Sequence, residues 1–314
     1  MCCFAQRVKN VANTRIFCRL TDRGSQFLVY QMDYESAVPN AMILPIPTQL
    51  PATEDQIQFL NLEAYATFFS DLESGYPQLQ NKKLIMPSTS SRTSVDSAPL
   101  KVHSVGSFVA SFVPTIDDFD RLDPQFVIPR SSWEKIPIYH DYGFAVFQLK
   151  SLHGRIHPIA LEFPTRMPDQ VFFPTVHIHD GEVHQQEHFD HTLYLQDDRW
   201  DSRVSKYDGP EKRDPSTGFV RSQKVAKHFM KPGLAQNVVS PDLLVHRRKF
   251  FGSYANHDRI VPRGVAALPL IQSNWLGYAA GTSVAAGMLA WLYWRRNRVR
   301  TETHAPSREP EIFR

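Results

Sequence analysis

Two stretches near the start of the chain alternate apolar and polar positions with a period of two. Residues 14–20 (TRIFCRL) and 26–34 (QFLVYQMDY) predict strands. The Thr21-Asp22-Arg23-Gly24-Ser25 sequence between them has turn composition, so the pair reads as a hairpin. Residues 41–46 (AMILPI) form a short apolar run; Pro45 and Pro47 place it at a sheet edge or a strand end. Residues 53–74 carry apolar side chains at helical spacing, Ile57, Leu60, Ala64, Phe68 and Leu72, with Tyr65 and Phe69 beside them. Thr53 and Gln56 fit a capping box, and Gly75 and Pro77 stop the run, which predicts one long packed helix. Residues 78–99 are rich in Ser, Thr and Asn and read as an exposed loop.

Residues 102–113 predict a strand bent at Gly106, and 117–121 a helical turn. The runs 144–150, 156–163, 171–179, 183–188 and 191–196 predict a succession of strands. Residues 197–270 lack clear periodicity and read as irregular, with a helix around 222–230. Many strands and one long helix predict an α+β fold with a mostly antiparallel sheet, here placed in a domain over 1–198.

The C-terminal pattern is different in kind. Residues 275–294 contain no charge, aromatics stand at both ends, and Arg295, Arg296, Arg298 and Arg300 follow. A helix of that length covers roughly 30 Å, the thickness of a bilayer's hydrocarbon core. The expectation is a single transmembrane helix over 275–294 with a basic polar tail over 295–314. Gly277, Gly281 and Ala285 lie four apart, the small-residue stripe through which such helices pair, so a homodimer is expected there.

Charge then divides the rest. Residues 1–198 hold 15 Lys and Arg against 23 Asp and Glu, whereas 199–263 hold 14 against 6. The segment 199–274 therefore reads as a basic juxtamembrane stretch, with anionic lipid as a partner for 199–263. No aromatic or motif context accompanies the charge, so nucleic acid is not an expected partner. Three cysteines, Cys2, Cys3 and Cys18, make no disulfide framework. With no export signal at the start, the body is expected on the cytosolic side of the membrane.

Two constellations carry candidate chemistry. Five of the thirteen histidines fall within 177–191. If Asp180-Gly181 is a two-residue hairpin turn, His177 faces His184 and His179 faces Glu182, while Ile178 and Val183 point the other way. His177, His179, Glu182 and His184 on one face are a candidate metal site, for zinc or another transition metal. The second is Cys2. Removal of Met1 would leave its amine beside its thiol, the arrangement of an N-terminal-cysteine amidohydrolase, with Asp33 as the accompanying acid.

The Met-Cys-Cys-Phe start, the segment 41–47 (AMILPIP) and the segment 172–181 (FFPTVHIHDG) together resemble an uncharacterised bacterial family of membrane-anchored proteins. That resemblance implies architecture and no established activity. The function expected at this stage is a membrane-anchored binding or scaffold module presenting residues 78–99 and 197–240 to a partner. The alternatives are a metal-dependent enzyme on the histidine hairpin and an amidohydrolase on Cys2.

Overall fold

The computed structural model describes residues 3–77, 102–106, 108–202, 204, 214 and 217–263. By contacts the chain divides into two units, Met1–Ile271 and Gln272–Arg314, and every described residue lies in the first.

Two sheets form that unit. The smaller contains β1 (Cys3–Phe4), β4 (Asn40–Ile46), β6 (His103–Val105), β7 (Phe108–Val113) and β8 (Gly143–Leu149), in the order β1-β4-β8-β7-β6. The larger contains β2 (Val8–Leu20), β3 (Ser25–Ser36), β5 (Gln58–Asn61), β10 (Ile159–Pro164), β12 (Gln186–Gln196), β13 (Val220–Arg221) and β14 (His246–Ala255). Their order is β13-β14-β12-β2-β3-β10-β5, and β9 (His153–Arg155) pairs with β3. β11 (Gln170–Phe173) and β15 (Arg259–Pro262) form a two-stranded ribbon. Among the described strands the β12–β2 ladder is parallel and the other ladders are antiparallel. The α+β, mostly antiparallel architecture is as the sequence predicts.

Period-two alternation explains the layering. Ile16, Cys18, Leu28, Tyr30, Leu161 and Leu193 of the large sheet face Met42, Leu44, Phe108 and Phe147 of the small one in a shared core. The opposite side of the small sheet is covered by residues 116–142, with Phe119, Trp133 and Tyr139 packed on Val113 and Phe144. Part of the opposite side of the large sheet is covered by the short helix α1 (Phe68–Ser74) and residues 226–245, on Phe17, Val29 and Tyr194.

The hairpin at 14–34 forms, as β2 and β3, with Leu20 opposite Gln26. The strand at Gly106 is instead a hairpin, Val105 opposite Phe108, and Gly106 supplies the positive φ of 57° that the reversal needs. The long helix at 53–74 does not form. Gln56 does accept from the Thr53 amide (3.2 Å), but it closes one turn, not a helix. Leu60 and Leu62 then follow a period of two because β5 pairs with β10, Leu60 opposite Ala160; a single 3-10 turn follows at Glu63–Tyr65, and α-helical geometry begins only at Phe68. The run at 41–46 lies inside its sheet, although β1 reaches only Met42 and Ile43, so Pro45 has no β1 neighbour to donate to.

The basic stretch from residue 199 is not an irregular, lipid-facing segment. It supplies β14 and β15, and its cations meet the acidic body: Arg247 and Lys249 bind Glu73 (2.7 and 2.9 Å), Lys231 binds Asp71 and Arg263 binds Asp197. Anionic lipid is corrected as its partner on that ground.

Among the described residues no helix is long and apolar enough to cross a membrane. The span expected at 275–294, its stripe of Gly277, Gly281 and Ala285 and the tail 295–314 lie outside the described residues. With no spanning helix among the described residues, the single-pass topology, the bilayer as partner, the dimer through that stripe and the placement of the body beside a membrane are corrected as unsupported, and none enters the functional reading.

Candidate functional site

The histidines that stand out in the sequence gather at one end of the large sheet, in a way the spacing does not predict. Residues 174–185 leave the β11 ribbon and run past β1 as an arm. Ile178 makes a parallel bridge to Cys3, and the Phe4 amide donates to the Ile178 carbonyl (2.9 Å). The Val8 amide does the same to His179 (3.1 Å). The reversal at Asp180-Gly181 exists: Gly181 has φ of 89°, and the Asp180 carboxylate accepts from the Glu182 amide (3.1 Å). No ladder joins its two sides. The amide of Asn256 stands between them instead, donating to the carbonyls of His177 (2.9 Å) and His184 (3.0 Å), while its oxygen accepts from the His177 amide (2.7 Å). Ile178 is buried and Val183 packs on the same cluster, as the hairpin reading expects.

The four expected metal ligands do not converge. His177 is fully buried. His179 lines the mouth of the site. Glu182 turns outward to Lys135, and His184 pairs with Asp180 (3.2 Å). Among the described residues no group of three or more His, Cys, Asp or Glu could hold a metal ion. The metal-dependent reading, with zinc or another transition metal, is corrected accordingly.

What His177 and His179 join is an aromatic stack. His177 lies against His179 (centroids 5.1 Å, planes 15° apart) and against His191 (5.2 Å, 13°). Phe189 stacks on His177 at 4.4 Å, Phe4 meets His179 at 6.1 Å, and Tyr34 stacks on Phe4 at 5.6 Å. Neutral imidazole can be buried this way because it packs as a flat ring, whereas imidazolium would be stranded from water. Burial accordingly lowers the pKa of His177 well below its usual range and that of His179 to about 4. Arg259 is buried beside the stack, 5.3 Å from the Phe189 ring, and its charge also opposes protonation of His177.

Above His179 the column opens into a polar pocket lined by Arg7, Val8, Asp180, His184, Gln186 and Glu187. Burial raises Glu187. For Asp180 the raising effect of burial is outweighed by the Glu182 amide and His184, and its pKa falls. Asp258, half-buried, takes the Tyr139 hydroxyl and the Thr175 and Val176 amides (2.6, 2.7 and 3.0 Å), anchoring the root of the arm. Burial nevertheless raises its pKa to about 6.

Cys2 lies outside the described residues. Its expected acid, Asp33, is on the outer face of the large sheet, held by Arg155 Nε and Nη2 (2.7 and 3.0 Å) and by Asn13. Its neighbours Met32 and Tyr34 point to the opposite, core side. Cys18 is buried with its thiol on the Phe172 carbonyl, and burial raises its pKa. Among the described residues the one expected partner, Asp33, is already held by Arg155 and Asn13, and the amidohydrolase reading is corrected as unsupported. Asn256, Asp258 and Arg259 escape a reading by spacing because they meet the arm across some 80 residues of chain.

No family model matches the chain. Among solved structures it is similar to baculovirus P35, with TM-score 0.41 and 15% identity over 82% of this chain and 98% of that one. It is similar to P35 in its complex with caspase-8 (TM-score 0.39, 13% identity, 81% and 97% covered). It is also similar to a mutated P35 after caspase cleavage (TM-score 0.36, 14% identity, 81% and 98%). The resemblance to a bacterial membrane-anchored family is corrected: no family model matches the chain, and no helix among the described residues could serve as its anchor. At such TM-scores and identities the likeness carries no inference about what this chain binds.

Proposed function

We propose that the chain is a protein-binding module that offers the segment between α1 and β6 to a partner protein. The observation that supports this reading is how the body holds the two ends of that segment. On one side the Gly75 carbonyl accepts from Gln223 (3.0 Å), and the buried Tyr76 donates to the Val245 carbonyl (2.8 Å). On the other, β6 is paired to β7, His103 opposite Ala110. The 24 residues 78–101 lie between these two fixed points. Long connections mounted on a rigid scaffold are where binding residues collect. In this one Asp96 is the single carboxylate, among Lys82, Lys83, Arg92 and Lys101.

A caspase is the first probe, because caspase-8 accompanies P35 in one of the structures above; the likeness lends the reading no weight. The chain is mixed with a panel of caspases, and complexes are separated by size exclusion and mapped by mass spectrometry. The expected result is a stable complex or a cut within 78–101. Either is lost when 78–101 is replaced by a Gly-Ser linker of equal length, with the unfolding midpoint unchanged. Binding that survives the replacement, or a panel giving neither complex nor cut, would overturn the reading.

A further inference from the structure

The described residues offer three features that the binding reading leaves unused: the polar pocket, the uncovered part of the large sheet around Phe251, and the histidine column. The column carries an inference furthest, because its geometry couples a titration to a junction held by few backbone bonds, the arm against β1.

The arm has little ladder of its own. Residues 174–185 are held by the Cys3–Ile178 bridge, the amides of Phe4 and Val8, the Asn256 side chain and Asp258. What fills the space beneath it is the near-parallel stack of His179, His177 and His191. We propose that these three imidazoles are an acid-released latch: protonation of the column frees the arm from β1 and from the end of the large sheet while the two-sheet core, β1 included, stays folded. Two adjacent imidazolium rings at 5.1 Å repel each other and cannot keep a dry stacked contact. Segments tied down by few backbone bonds open before the whole molecule does.

The groups around the column mostly favour the neutral rings. Arg259 from β15 and His188 from β12 oppose a charge on His177. At the mouth Asp180 favours a charge on His179 and His184 opposes it. Tyr34 of β3 stands behind Phe4. Asp258 acts with the other sign, since a carboxyl that is easier to protonate in the folded state gains stability as pH falls through about 6. For the histidines the sign is clear. Both states are neutral above the ordinary histidine range. Below it the released arm takes protons that the stacked arm refuses, so closure is weakened steadily as pH falls toward about 4, the value for His179.

The test is amide hydrogen exchange, expressed as protection factors, on the full chain from about pH 7.5 to about pH 4.5. The reporters are the amides of Phe4, Val8 and His177, and those of the β3–β10 ladder serve as the core reference. Reporter protection is expected to fall at least about tenfold by about pH 5 while the reference holds. His177→Phe and His179→Phe keep a ring in the stack without a proton site, and each is expected to move the release down by about one pH unit. If His177→Phe does not fold, His179→Phe, nearer solvent, decides the matter. Loss of protection at reporters and reference together, or folded variants that release at the parent's pH, would overturn the proposal.

Discussion

At the scale of single residues, the end of the molecule described above depends on side chains that complete a backbone. Asn256 serves three groups at once, the His177 amide and the carbonyls of His177 and His184. It is 9% exposed, so water cannot readily replace it. Asn256→Ala leaves those groups unsatisfied and is expected to cost about 2–4 kcal/mol in a urea unfolding experiment. A cost below about 0.5 kcal/mol would mean that water takes over the bonds and that the arm is held by packing alone. The histidines make the complementary point. His177 and His246 are both fully buried, yet one is stacked among rings and the other is bonded to Asp201 at 2.8 Å. Residue type alone does not distinguish a ligand, a hydrogen-bonded pair and a flat packing unit.

At the scale of elements, β14 shows how a strand hides in a sequence. Its inward positions are His246, Arg248, Phe250 and Gly252, and its outward ones Arg247, Lys249, Phe251 and Ser253. Arg248 is not a solvent position: its guanidinium lies 4.5 Å from the Phe250 ring and donates to the Thr217 carbonyl. Polar residues on the core side erase the alternation that marks a strand. The two adjacent phenylalanines test this assignment directly. Phe250 is 4% exposed and Phe251 is 75% exposed, against the edge of His188. Phe250→Ala is expected to destabilise by about 3–5 kcal/mol. Phe251→Ser should stay within about 0.5 kcal/mol of the parent. Equal effects at the two positions in a denaturant titration would mean that the strand's facing is wrong.

At the scale of the whole molecule, the three packed clusters are built from residues between Cys3 and Val261. The long-range contacts that close them are local neither in sequence nor in type; β2 alone reaches β3 by a hairpin and β12 across some 170 residues. Such a core needs the last strands, β14 and β15, as much as the first. A chain ending after Ile271 therefore retains every described element and is expected to unfold within about 0.5 kcal/mol of the full chain, whereas one ending before His246 should not give a cooperative transition. Circular dichroism with denaturant distinguishes the two. A full chain more stable by several kcal/mol than the chain ending at Ile271 would show that residues 272–314 contribute to the fold.

The sequence by itself determined the parts whose physics is local. The first hairpin follows from period-two alternation around Asp22-Arg23-Gly24, the turn at Asp180-Gly181 from Gly at a positive φ, and the antiparallel α+β class from the number of short alternating runs. Tertiary structure decided the rest. Thr53–Gln56 forms its side-chain bond and still begins no helix, because β10 offers Leu60 a ladder partner. The basic stretch after residue 199 is consumed by Glu73, Asp71 and Asp197 of the body. The histidines alternate as a polar sheet face would, yet His177 goes into the core, because Asn256 and Asp258 redirect the arm that carries it and Phe189 and His191 wait there to stack. Spacing encodes which side of a strand a residue takes; which side is the core depends on partners far away in the chain.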